Sequence, residues 1–143
     1  MQVREVMTAS PKTVRPETSI REAASFMLSE DTGSLPVCDG ETVLGMITDR
    51  DIAVRGVAEG KSPDCSVSDL MTEHLIVARD TDDTSAIAQK MSDHQVRRLP
   101  VIDENKKLVG IVSLGDLARS IKDSDASTAL EGVSEKGELH NQS

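Results

Sequence analysis

Two short stretches carry residues whose types and spacing could do chemistry. Thr48 stands three residues ahead of Asp51, and Ser113 three ahead of Asp116, each pair directly after an apolar run. A strand that ends in a hydroxyl residue just before a helix start gathers that hydroxyl and several unsatisfied N–H groups at one point. Such a junction attracts anions through the helix dipole and its free donors. An acid in the first helical turn is placed to accept two hydroxyl groups of a ribose, as acids do in other nucleotide-binding folds. Thr48 and Ser113 therefore suit phosphate, and Asp51 and Asp116 suit ribose. The same spacing also describes an ordinary helix cap, in which hydroxyl and acid serve only the backbone. One side chain can fill both roles, because the cap uses one face and a ligand approaches from another. Gly45 and Gly110, three residues before the hydroxyls, admit a close approach by backbone or ligand.

Other chemistries find less support. His74 and His94 are far apart, His140 lies near the end, and Cys38 and Cys65 show no paired spacing, so no metal is expected. Neither cysteine has a neighbouring base in sequence, and no phosphate-binding glycine loop of the Walker type occurs, so the chain does not read as an enzyme. Two cysteines are too few for a disulfide scaffold, and a reducing cytoplasm is the simpler compartment. The apolar runs are too short to span a bilayer, and no secretory signal opens the chain, so no membrane association is expected. Sixteen basic against 25 acidic residues give a net charge of −9, a poor match to a nucleic-acid backbone. One Phe, no Tyr and no Trp leave no stacking surface for single strands. Nucleic acid is not an expected partner on either count.

The elements that must position the two motifs occur twice. Shifted by 64 residues, Val3 meets Val67, Met7-Thr8 meets Met71-Thr72, Arg15 meets Arg79, and Leu35-Pro36-Val37 meets Leu99-Pro100-Val101. One extra residue within Glu104 to Lys107 moves the shift to 65, after which Gly45, Thr48 and Asp51 meet Gly110, Ser113 and Asp116. Each copy opens with a short helical lead (Val3 to Met7; Val67 to Met71) and an extended stretch near Thr13-Val14 or Ile76-Val77. A helix follows, capped by Ser19 with Glu22, or by Asp82 or Asp83. Its apolar stripe is Ile20, Ala23, Ala24, Met27 and Leu28 in one copy and Ile87, Ala88 and Met91 in the other. Gly33 stands where a C-terminal cap would. Two strands joined by a polar turn come next. The closing helix carries Ile52, Ala53 and Val54, or Leu117, Ala118 and Ile121.

The expected fold class is therefore α/β (α+β): two tandem β-α-β-β-α repeats, 1–62 and 63–122, packed about a pseudo-twofold axis. A unit of this size buries too little surface to be comfortable alone. The stretch 123–143 holds five acids and one base. It reads as a mobile, disordered acidic tail.

Leu-Pro-Val-x-Asp followed by Gly45-Met46-Ile47-Thr48-Asp49-Arg50-Asp51, and again by Gly110-Ile111-Val112-Ser113-Leu114-Gly115-Asp116, resembles the cystathionine-β-synthase (CBS) domain. The tandem arrangement is similar to a Bateman module of the stand-alone bacterial kind. The resemblance implies an adenosine-containing ligand in the clefts between repeats: AMP, ADP or ATP, with NAD or S-adenosylmethionine also compatible. It assigns phosphate to Arg98, and less directly to Arg97 and Arg50, through bidentate guanidinium contacts. Val14 and Val77, with Pro36-Val37 and Pro100-Val101, would wall the adenine, although plain core packing explains any one of them. Arg50 and Gly115 depart from the family pattern, which sometimes has a second hydroxyl there. The resemblance further implies a homodimer that signals to a regulated protein partner. The competing expectation is a protein-interaction scaffold with empty clefts, independent of nucleotide.

Overall fold

The computed structural model describes residues 1–73 and 76–120. The expected acidic tail 123–143 and Ile121 lie outside the described residues. In chain order, a 3-10 turn Val3–Glu5 leads to β1 (Thr8–Ala9), α1 (Ile20–Ser29), β2 (Ser34–Asp39) and β3 (Thr42–Thr48). A π-helix Asp51–Val57 and a second 3-10 turn Val67–Asp69 follow. Then come β4 (Ala78–Arg79), α2 (Thr84–His94), β5 (Arg98–Ile102), β6 (Leu108–Ser113) and α3 (Leu114–Ser120).

These elements form two compact units whose boundaries differ from the sequence period. Residues 11–75 make one unit, while residues 1–10 join residues 76–120 in the other. The lead of each copy is thus built into the unit formed by the opposite copy. The period at 62 and 63 marks which segments are alike, and the packing marks which segments share a core.

In the 11–75 unit β2 pairs antiparallel with β3, from Ser34↔Thr48 to Asp39↔Thr42, with a bulge between Val37 and Cys38. Val14 bridges Val37 on one side of the hairpin, and Thr72 bridges Met46 on the other. The second unit repeats the plan as a sheet of order β1-β6-β5-β4. There β1 runs antiparallel to β6 through Thr8↔Ile111, and β4 runs parallel to β5 through Ala78↔Val101. The hairpin register, Arg98↔Ser113 to Ile102↔Leu108, shifts at the equivalent place, between Val101 and Ile102. Gly40 turns the first hairpin at φ 61°, and Lys106 takes φ 64° in the second. That turn is tied by Asp103, whose Oδ1 accepts the N–H groups of Asn105 at 2.8 Å and Lys107 at 3.0 Å.

Strand alternation sends Leu35, Val37 and Ile47 into one core with Val14, Ile20, Ala23, Met27, Val67 and Leu70. Leu99, Val101 and Val112 enter the other core with Val3, Ala78, Ile87, Ala88, Met91, Leu114 and Leu117. The α1 cap is as expected, with Ser19 Oγ accepting the Glu22 N–H at 3.1 Å. Asp83 caps α2 by accepting the Ser85 N–H at 3.2 Å. The expected α1 stripe narrows, however: Ile20, Ala23 and Met27 are buried, while Ala24 is exposed and Leu28 is 84% exposed. Ala24 and Leu28 each follow a buried residue by one position, which turns them roughly 100° around the helix and away from the sheet. Gly33 does not cap α1 either. Asp31 takes the left-handed conformation at φ 50°, and the Thr32 N–H closes on the Met27 carbonyl at 3.0 Å. In the closing segments Ile52 is half-buried and Leu117 buried, but Ala53, Val54 and Ala118 face outward. Among the described residues no helix is long and apolar enough to cross a membrane.

Cys38 lies in β2 at 4% exposure, and burial pushes its thiol up to about 11. At pH 8 only roughly one such thiol in a thousand is a thiolate, so native Cys38 should resist thiol reagents while half-buried Cys65 reacts. Timed labelling with an aromatic disulfide is expected to count one fast thiol in native protein and two after denaturation. Two fast thiols in native protein would contradict this burial.

Candidate functional site

Each hydroxyl-x-x-acid motif sits where a strand hands over to a helix. β3 ends at Thr48 ahead of the π-helix, and β6 ends at Ser113 ahead of α3. At the first junction the Asp51 N–H donates to Thr48 Oγ1 and the Thr48 N–H donates to Asp51 Oδ2, both at 3.0 Å. At the second, the Asp116 N–H donates to Ser113 Oγ at 3.1 Å and the Ser113 N–H to Asp116 Oδ2 at 2.9 Å. This reciprocal pair satisfies two backbone donors that the helix start leaves over. The capping role, left open by spacing alone, is therefore filled at both sites.

Capping leaves the carboxylates with capacity. An ionised carboxylate offers about four acceptor positions, and the cap takes one, on Oδ2. Oδ1 is approached from the next turn: Arg55 Nε lies 3.8 Å from Asp51, and Arg119 Nη2 donates to Asp116 at 2.7 Å. The Asp51 and Asp116 side chains are 13% and 12% exposed, so both stay reachable. Arg55 also donates to the Leu70 carbonyl at 3.1 Å. Arg55 and Arg119 escaped the sequence reading, although helical spacing from the two acids was the signal that could have found them.

The remaining candidates divide between the units. Arg98 lies opposite Ser113 in the β5–β6 register, so the two side chains share a face of the sheet. The Arg97 carbonyl accepts the Leu114 N–H at 2.8 Å, which ties the start of β5 to the start of α3. Arg97, Arg98, Ser113 and Asp116 are thereby gathered at one strand end. The Arg97 Nε is buried and has no hydrogen-bond partner among the described residues. In the other unit Arg50 is exposed beside Asp51, with its N–H held by Asp49 Oδ1 at 2.8 Å. Pro36 and Pro100 are buried mid-strand opposite Met46 and Ile111. Val14, at 4% exposure, is built into the core, and its N–H donates to the Pro36 carbonyl at 3.0 Å. Val77 is half-buried, and its carbonyl accepts from Lys90 Nζ at 2.7 Å.

The two glycines serve the backbone. A Cβ on Gly45 would lie 2.7 Å from the Thr72 carbonyl oxygen, and one on Gly110 would lie 2.9 Å from that of Thr8. Both leads pair with their sheets at these points, Ala9 with Gly110 and Thr72 with Met46.

The CBS domain pattern matches residues 3–56 and 67–123. The chain belongs to the CBS domain family. The CBS pair is 41% identical over 133 residues to the CBS domain-containing protein YhcV of Bacillus subtilis (strain 168), covering 92% of this chain and 94% of that one. Its relatives thus include stand-alone bacterial CBS proteins. Among solved structures, Hypoxic Response Protein I of Mycobacterium tuberculosis, with two coordinated zinc ions, superposes with a TM-score of 0.78 at 35% identity. That match covers 85% of this CBS pair and all of its neighbour. CBSX2 from Arabidopsis thaliana in complex with AMP superposes with a TM-score of 0.73 at 29% identity, covering 83% and 94%. The mixed α/β class and the two CBS repeats stand.

The zinc-bearing neighbour overturns one expectation, that this architecture goes without a metal. Separated histidines and cysteines in sequence were a poor guide, because metal ligands converge through folding and need not be close along the chain. Among the described residues of this CBS pair, no three His, Cys, Asp or Glu side chains gather as zinc requires. His74 lies outside those residues, as does His140.

Proposed function

We propose that this CBS pair is a regulatory module rather than a catalyst, binding an adenosine-containing ligand of the AMP class at the Ser113–Asp116 junction and at its Thr48–Asp51 counterpart. The observation that carries the reading is the buried Arg97 Nε without an acceptor, held at the strand end that also presents Arg98 and Ser113. A buried donor left unsatisfied costs about 1–3 kcal/mol, and more when charged. A phosphate oxygen would remove that cost. Asp116 and Asp51 would then take the ribose hydroxyls on their spare acceptor positions. The AMP held by CBSX2 supports the same ligand class.

The response would be linkage: ligand favours one arrangement of the module, a partner protein reads it, and the shift cannot exceed the ligand's differential affinity. A cytoplasmic homodimer is the assembly we favour. Leu28, Val54 and Val57 are apolar and exposed at 84%, 47% and 71% on the 11–75 unit, and a second copy would cover them.

Calorimetric titration with AMP, ADP, ATP, NAD and S-adenosylmethionine tests the reading, with zinc as a separate arm. Protein concentration is best set by refractive index, since the chain has neither Tyr nor Trp. Saturable binding of at least one adenosine compound is expected. No heat from any of them, with unchanged melting, would refute the proposal.

One observation favours a second reading. Asp116 Oδ1 is held by Arg119 at 2.7 Å, and a carboxylate satisfied within its own helix needs no ligand. A nucleotide-independent interaction scaffold would behave this way. Partner binding that ignores nucleotides and survives neutralisation of Thr48, Asp51, Ser113 and Asp116 would select it.

A further inference from the structure

A cavity of about 320 Å³ opens in the unit formed by residues 1–10 and 76–120, lined by Arg4, Arg79, Asp80, Thr81, Asp103 and Glu104. It stands at the turn end of the β5–β6 hairpin, whereas Ser113 and Asp116 stand at the opposite end of β6. Backbone bonds knit its walls. The Arg4 N–H donates to the Asp80 carbonyl and the Asp80 N–H to the Ile102 carbonyl, both at 3.0 Å.

The repeat supplies an internal comparison. At a shift of 64 residues Arg79 corresponds to Arg15, Thr81 to Glu17, and Arg4 to Ser68. In the 11–75 unit the Arg15 Nε is taken by Glu17 at 2.6 Å. Thr81 replaces that acid in the later copy, and neither Arg79 nor Arg4 has an ion pair among the described residues. One unit therefore neutralises its arginine locally. The other leaves its arginine unpaired among the described residues, gains a second from the lead of the earlier copy, and opens a cavity beside them.

We infer that this cavity is a binding site for a small phosphate ester bearing hydroxyl groups. Two guanidinium groups can clasp phosphate oxygens bidentately, and the Thr81 hydroxyl supplies a further donor. Asp103 is engaged with its turn, whereas Asp80 and Glu104 repel a bare anion and accept hydroxyl protons. The occupant therefore carries phosphate at one end and hydroxyls at the other, as a phosphorylated sugar or polyol does.

The test is an amide-resolved NMR titration of the full chain with ribose 5-phosphate as the probe, judged on Arg4, Arg79 and Thr81. Saturable shifts are expected at these amides, and they should persist in Asp116→Ala, which separates them from the adenosine reading. Arg79→Ala should weaken the binding they report by about tenfold or more. Thr81→Glu, which rebuilds the ion pair of the other copy, should do the same. Both positions are exposed, so the fold should tolerate both changes, as melting would verify. Three results would overturn the site: no saturation, equal shifts with ribose lacking phosphate, or undiminished binding in both variants.

Discussion

Asp116→Ala is expected to weaken binding of adenosine-containing ligands by about 100-fold or more, and Asp51→Ala to do the same at its own junction. The estimate rests on two ribose hydroxyl bonds to a charged acceptor at about 1.5–3 kcal/mol each, with 1.4 kcal/mol per factor of ten. Each substitution also strips a cap, because Asp116 Oδ2 accepts the Ser113 N–H and Asp51 Oδ2 that of Thr48. A lost cap costs about 0.5–2 kcal/mol, so melting should fall by a few degrees with the protein still folded. Asp116→Asn and Asp51→Asn separate the two effects. Asparagine keeps an acceptor for the cap but gives up the charge and one acceptor oxygen, so stability should largely recover while affinity stays low. Calorimetry and thermal melting on the same samples read both quantities. Wild-type affinity in both alanine variants would remove the two acids from the site.

The second large effect concerns stability. Gly110→Ala should destabilise the 76–120 unit, and Gly45→Ala the 11–75 unit, each by about 1–3 kcal/mol, the range for overpacking a filled interior. The fixed obstruction in each case is a backbone carbonyl, Thr8 at 2.9 Å and Thr72 at 2.7 Å, which cannot swing aside as the Met7 and Met71 sulfurs, at 2.5 Å and 2.9 Å, can. Relief requires the lead to lift off its sheet, breaking the β1–β6 pairing in one unit and the Met46–Thr72 bridge in the other. Hydrogen exchange should show this as lost protection at Ser10, whose N–H donates to the Val109 carbonyl, or at Thr72, whose N–H donates to Met46. Gly40→Ala is the informative control. It meets nothing within 4 Å, so only its φ of 61° is strained. Equal protection in Gly110→Ala and wild type would show that the sheet has room the geometry denies.

Local pattern explains what could be read from the sequence. A hydroxyl three residues before an acid, after an apolar run, describes a strand-to-helix junction whether or not a ligand binds. Thr48, Asp51, Ser113 and Asp116 were therefore found together with the caps they form. The Leu-Pro-Val strands and the Ser19 and Asp83 caps were legible for the same reason. Partnership over distance was not. Nothing in the composition of Met1–Ser10 says that it completes a sheet with β6, because likeness between copies reports ancestry of segments and not their packing. Arg55 and Arg119 stood at helical spacing from the acids, yet in a chain with sixteen cations spacing alone did not single them out. Leu28 looked like core because it is apolar, and only the phase of α1 places it outside. Val14 is a candidate adenine wall, and its bridge to Val37 and place in the core are a partnership that its own sequence neighbourhood does not announce.

The exchange of leads between the two copies has a consequence for how such a chain can be divided. Residues 1–10 finish the sheet of the later copy, and Ser66 to Thr72 finish that of the earlier one. This is the connectivity of a domain swap, closed within a single polypeptide. A lone repeat excised at the sequence period would carry a lead with no sheet to join and a sheet with one bare edge. Its simplest remedy is to trade leads with another molecule. Fragments cut at 62/63 should therefore recombine in pairs rather than persist alone. Proteolytic nicking at that boundary should leave a complex held by mutual loan of strands.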